Sequence, residues 1–114
     1  MPRRTWVERV EDIVSAIERI GEYTEALDFA AFAQDHKTID AVVRNLEVIG
    51  EASHHVPEEI RQQSAEIPWR EMRAMRNLIS HAYFTVDVAV VWKTVRDDLP
   101  GLLPLFRSLL RQGE

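Results

Sequence analysis

Pro68-Trp69-Arg70-Glu71-Met72-Arg73-Ala74-Met75-Arg76-Asn77-Leu78-Ile79-Ser80-His81-Ala82-Tyr83 is the stretch on which the fold turns. At ~100° per residue, a helix through this segment gathers Met72, Met75, Leu78, Ile79 and Ala82 into one arc. Such an arc is the stripe a core-facing helix requires. The opposite arc takes Arg70, Arg73, Arg76, Asn77, Ser80 and His81, with Arg76 and His81 ~140° apart. One helix therefore offers an apolar face to a core and a cationic, hydrogen-bonding face with one imidazole. That face suits a phosphodiester.

The same helical period recurs outward from this segment. Trp6, Val10, Ile13, Ile17 and Ile20 alternate at spacings of three and four, predicting an amphipathic helix over roughly 5–24. Leu27 to Ala33 reads as a short connecting turn. A second long helix is expected from about Thr38 to Val56, with Ile39, Val42, Val43, Leu46 and Ile49 inward and Pro57 stopping it. Gly50 inside that helix costs ~1 kcal/mol relative to alanine, which points to a close approach of another helix. Pro57 to Arg61 reads as a short helix with proline in its first turn and acids at its positive end.

Pro68 opens the third long helix, continued by Trp69 to Ala82, and Tyr83-Phe84-Thr85 is a break. Asp87 or Thr85 can cap a fourth helix carrying Val88, Val91, Val95 and Leu99. Pro100 and Pro104 interrupt the chain beyond Leu99, so a kink or restart is expected near Asp98–Pro100. Leu102, Leu103, Phe106, Leu109 and Leu110 form the last stripe. Clean period-two alternation with β-branched residues is missing throughout. The sequence therefore predicts an all-α fold, a four- to five-helix up-down bundle, as a single domain over 1–114.

Composition narrows the class. The 114 residues are 46% hydrophobic and 29% charged, as in an ordinary globular domain. There is no cysteine, which rules out a disulfide framework and thiolate metal ligands. The arginines near the N-terminus are followed by no apolar core of a signal peptide, and no apolar run is long enough for a membrane span, so a cytoplasmic location is expected. A net charge of −5 opposes bulk electrostatic coating of nucleic acid. Of 14 basic residues only Lys37 and Lys93 are lysines, leaving twelve arginines. Arginine favours bidentate phosphate contacts, although compositional bias of a GC-rich coding sequence explains the excess equally well.

RNA cleavage without metal needs a group to activate the 2′-hydroxyl, one to protonate the leaving 5′-oxygen, and a cation on the phosphorane charge. A histidine with a pKa of ~6.5 suits either proton transfer near neutral pH. Arg76 supplies the cation, and Asn77 can hold the His81 tautomer or position the phosphate. The one imidazole this motif offers per chain is thin for both ends of the bond, and a two-fold dimer would bring two into one groove. The plainer reading of Arg76 and His81 is a solvated helix face. Glu51, His54 and His55 sit within one turn, with Glu51 and His55 on one face, but no further metal ligands are evident. Trp6, Trp69 and Trp92 read as core or dimer-interface residues rather than base-stacking platforms. Phosphate-loop, dinucleotide, zinc-protease and serine-hydrolase motifs are absent.

The segment 68–83 resembles the signature of HEPN domains, in particular the HepT-like toxin branch. That motif is Arg, four residues, His, any residue, Tyr, and Arg76, His81 and Tyr83 match it in full. Ala41 to Ala52 and the Glu11-Asp12-Ile13 opening of the first helix also resemble the branch. The resemblance implies a homodimeric, metal-independent endoribonuclease with no cofactor and no metal. Arg76 and His81 would carry catalysis with Asn77 assisting, and Arg70, Arg73 and Ser80 are possible RNA or phosphate contacts. It also implies the toxin half of a type VII-like toxin–antitoxin pair. The partner would be a minimal nucleotidyltransferase antitoxin that transfers AMP to Tyr83, placing bulk and negative charge in the RNA groove. A non-catalytic helical partner of a nucleotidyltransferase, binding nucleotide, is the alternative, and a plain dimerisation module a third.

Overall fold

The computed structural model describes the backbone of residues 5–81 and 87–113, and the side chains of all of these except 77–81. Seven α-helices succeed one another: α1 (Trp6–Thr24), α2 (Phe29–Gln34), α3 (His36–His54), α4 (Glu58–Gln63), α5 (Trp69–His81), α6 (Val88–Lys93) and α7 (Leu99–Gly113). A π-helical turn, Thr94–Asp98, joins α6 to α7. No strand occurs among the described residues, and the all-α expectation holds.

Four of the starts are held by a side-chain cap, from Thr5, Asp28, Asp35 and Asp87. The Thr5 hydroxyl accepts from the Glu8 N–H at 3.2 Å, satisfying one of the orphan donors of α1. Asp28 caps α2 through the Ala31 N–H at 2.8 Å. The sequence places the start of the second long helix at Thr38, yet α3 begins at His36. Asp35 is the reason, because its carboxylate accepts both the N–H and the hydroxyl of Thr38, at 3.1 and 2.7 Å. Pro57 lies at the cap of α4 rather than inside its first turn, and the helix runs two residues past Arg61. Asp87, one of the two expected caps, accepts from the Ala89 and Val90 N–H groups of α6. Thr85, the other, and the expected break at Tyr83–Thr85 lie outside the described residues.

Where a kink or restart is expected, near Asp98–Pro100, the chain has the π-helical turn that ends at Asp98. Pro100 cannot donate to the Arg96 carbonyl and its ring crowds that oxygen. The chain widens instead, and the Leu99 N–H reaches the Thr94 carbonyl five residues back. Pro104 does not interrupt α7, contrary to expectation. Pro100, Gly101 and Pro104 all lie on the exposed side, where water can serve the carbonyl that Pro104 leaves without a donor.

Four rods result: α1, α3, α5 and the composite α6–π–α7. Val10, Ile13, Ile17 and Ile20 of α1 meet Val42, Leu46 and Ile49 of α3, Met72 and Met75 of α5, and Leu99, Phe106 and Leu109 of α7 in one core. Val43, expected inward, is half-buried. Glu18 pairs with Arg107 while Trp6 packs on Gly113, so α1 and α7 run antiparallel. The Trp69 and Phe106 rings meet edge-on, with centroids 5.6 Å apart, closing α5 against α7. Phe32 of α2 is fully buried, 4.9 Å from the Trp92 ring.

Candidate functional site

α5 carries the site because its two faces divide as the spacing requires. Met72 is fully buried and Met75 is 7% exposed, while Arg70 is exposed and Arg73 and Arg76 are half-buried. Trp69 anchors the start of the helix. Its indole Nε1 donates to the carbonyls of Arg61 and Ser64, at 3.2 and 3.1 Å, tying α5 to the end of α4.

Arg70, Arg73 and Arg76 line one open depression of about 290 Å³ together with Ala74 and His54 of α3. The structure thus gathers the three arginines that the sequence places on one arc, and adds a histidine that sequence reasoning sets elsewhere. Arg73 also directs its Nε at the Trp69 carbonyl, 3.4 Å away. The backbone of α5 continues unbroken through Asn77, Ser80 and His81, whose side chains are outside those described. His81 lies five residues, or ~7.5 Å of rise, beyond Arg76 on the same rod. Tyr83 lies outside the described residues.

Across from Arg76 stands α3, and the two helices nearly touch. A Cβ on Gly50 would fall 2.5 Å from the Arg76 backbone nitrogen and 2.9 Å from its Cβ. The close approach inferred from Gly50 is therefore real, and α5 at Arg76 is what approaches. The direction is antiparallel, since Gly50 faces Arg76 while His54 shares the depression with Arg70 and Arg73.

Glu51 is the group whose contact with Arg76 sequence reasoning misses. Its Oε2 accepts from Arg76 Nη1 at 3.0 Å and its Oε1 from His55 Nε2 at 2.9 Å. His55 first, then Arg76, hold the Glu51 carboxyl below the usual carboxylate range, outweighing the small opposing effect of burial. Glu51 and His55 share a helix face, as the sequence indicates, and the carboxylate also serves an arginine on the facing helix. No group of three or more potential metal ligands is found among the described residues. The signal for the Arg76 contact is tertiary, since 25 residues separate the pair.

Chemically, this is a cation paired with Glu51 at the edge of a basic depression on a helical bundle, a surface whose charge suits a phosphate. The chain matches the family model described as ribonuclease HepT-like over residues 13–109, and it belongs to that family. It is 49% identical to a probable ribonuclease HepT of Thermococcus cleftensis, across 94% of this chain and 97% of the relative. Two putative RNases of Methanocaldococcus jannaschii are 36% and 34% identical. The first alignment covers 80% of this chain and 84% of the relative, and the second 100% and 98%. No solved structure matches the chain. No described helix is long and apolar enough to cross a membrane.

Proposed function

We propose that this chain is an endoribonuclease that cuts RNA by attack of the 2′-hydroxyl on the adjacent phosphorus, with no need of a metal ion. The observation that carries this reading is the grouping of Arg70, Arg73 and Arg76 around one depression on the helix that continues to His81. In the reaction the 2′-oxygen loses its proton and bonds to phosphorus. The bond from phosphorus to the 5′-oxygen breaks, and a proton passes to that oxygen. Arg76 stabilises the charge gathering on the phosphoryl oxygens, His81 moves a proton, and Asn77 holds the imidazole or the phosphate.

Two proton transfers at opposite ends of one bond favour two imidazoles. A two-fold dimer that faces one α5 with another supplies the second His81 and doubles the arginines, and we assign the active form to such a pair. Tyr83, two residues past His81, is the assigned acceptor of AMP from a minimal nucleotidyltransferase. The added phosphate and purine would then block RNA entry, making this chain the toxin of a toxin–antitoxin pair.

The test is incubation of purified protein with RNA in excess EDTA. Wild type is expected to cleave and His81→Ala to leave the RNA intact. Equal behaviour of the two proteins would remove the enzymatic reading and leave a helical partner of a nucleotidyltransferase. Sedimentation is expected to give a dimer. Treatment with the cognate nucleotidyltransferase and ATP should add one AMP to wild type and none to Tyr83→Phe.

A further inference from the structure

Arg76 is gripped at both ends. At its root, the bare Cα of Gly50 lets α3 close on the Arg76 backbone, and the clearance is too small for any side chain there. At its tip, the guanidinium donates to Glu51, and the second oxygen of the same carboxylate is engaged by His55. The carboxylate thus has partners on both oxygens and cannot swing freely. The ion pair itself is exposed, with Arg76 at 40% and Glu51 at 50% of full side-chain accessibility. Exposed pairs of this kind add little to folding stability. Their geometric effect is another matter, because an untethered arginine samples many rotamers and a phosphate must then select one.

We infer that Glu51 is a positioning residue for RNA cleavage: it fixes the direction of the Arg76 guanidinium, and His55 fixes Glu51. The assignment rests on the nuclease reading above. A guanidinium has five N–H donors, and the Glu51 contact engages only Nη1. Glu51 also places a negative charge beside the incoming phosphate. It therefore costs something in RNA affinity while it aids the chemical step. This opposition gives a signature that a purely architectural residue lacks, a fall in kcat without a rise in KM.

The experiment compares wild type, Glu51→Ala, Glu51→Gln and Arg76→Ala on a short RNA, with the double variant Glu51→Ala/Arg76→Ala. Thermal melts first establish that each is folded. Glu51→Ala is expected to lower kcat by up to about 10²-fold, the scale of a misplaced catalytic group, with KM equal to wild type or lower. Glu51→Gln keeps an acceptor oxygen and is expected to fall between the two. In the Arg76→Ala background, removing Glu51 is expected to change nothing further. Selective labelling of arginine nitrogen gives a readout without RNA: the Arg76 Nη signals should show hindered rotation in wild type and averaged rotation in Glu51→Ala. A Glu51→Ala protein that cuts like wild type, or an equal loss in the Arg76→Ala background, overturns the positioning role alone. Unchanged Arg76 signals in Glu51→Ala overturn it as well. A wild type that cuts no RNA overturns the nuclease reading and this role with it.

Discussion

The backbone nitrogen of Arg76 stands 2.5 Å from where a Cβ on Gly50 would be, closer than real Cβ contacts allow. The obstacle is helix backbone, so it cannot rotate away. Gly50→Ala gains about 1 kcal/mol in intrinsic helix propensity, but forcing α3 from α5 costs about 1–3 kcal/mol. The expected result is a melting temperature lower by a few degrees and a larger fractional loss of RNA cleavage, since the displaced residue is Arg76. Gly21→Ala is the contrast. Nothing lies within 4 Å of a Cβ there, so that variant should melt no lower than wild type. Calorimetry and initial rates on both proteins check the pair of outcomes.

Acid should weaken the structure in a definite window. The Thr38 hydroxyl first, then the Thr38 N–H, hold the Asp35 carboxyl below its ordinary value, and His55 then Arg76 do the same for Glu51. A carboxyl whose folded pKa is depressed contributes stability that is complete above the unfolded pKa, about 4. That contribution is lost as pH falls through the lower, folded value. Glu51 is exposed and Asp35 only partly buried, so the effect is small and shrinks with added salt. Asp35→Asn is expected to flatten the fall of the melting temperature below about pH 4 while changing its neutral value modestly. A melting curve with the wild-type pH slope would show that the cap of α3 gains nothing from its charge.

Much of this architecture is legible in the sequence because helices announce themselves locally. The three-and-four spacing of Val10, Ile13, Ile17 and Ile20 and that of Met72 and Met75 on α5 are properties of near neighbours in the chain, and the structure buries these residues as the period requires. The start of α3 is harder to read because Thr38 is itself a good capping residue, whereas Asp35 is the cap and holds Thr38 inside the first turn. Pro104 misleads for a related reason. A proline breaks a helix through one carbonyl, and on the exposed side of α7 that carbonyl is open to water. The arginine face is readable from spacing alone. Its link to Glu51 is not, since no local pattern joins residues on two helices. Gly50 is the nearest local sign of it, as a residue disfavoured in a helix unless something packs against it.

Trp69 gives a prediction about how α5 is placed. Its indole Nε1 serves two carbonyls, Arg61 and Ser64, and its ring lies edge-on to Phe106 at 89°. Phenylalanine would keep most of the ring contact and leave both carbonyls without that donor. Losing such a buried bond costs about 1–3 kcal/mol. Trp69→Phe should therefore melt several degrees lower, with faster amide exchange across α4 and the first turn of α5. Exchange confined to another part of the bundle would show that the indole bond is not what ties these helices together.

Arg70 and Arg73 separate two uses of the basic depression. If they contact RNA phosphates, each removed contact should reduce the slope of log affinity against log salt by about 0.7, the value for single strands. The chain carries a net charge of −5, so bulk attraction contributes little to hide the change. Binding can be read by fluorescence anisotropy on labelled single-stranded RNA in the His81→Ala background, where the strand stays intact. Arg70→Ala and Arg73→Ala are expected to bind more weakly and with a shallower salt slope. Arg111→Ala, exposed near the end of α7, is expected to keep the parental slope. A parental slope in all three variants would assign the depression to a protein partner, because contacts with phosphate cannot be removed without releasing fewer counterions.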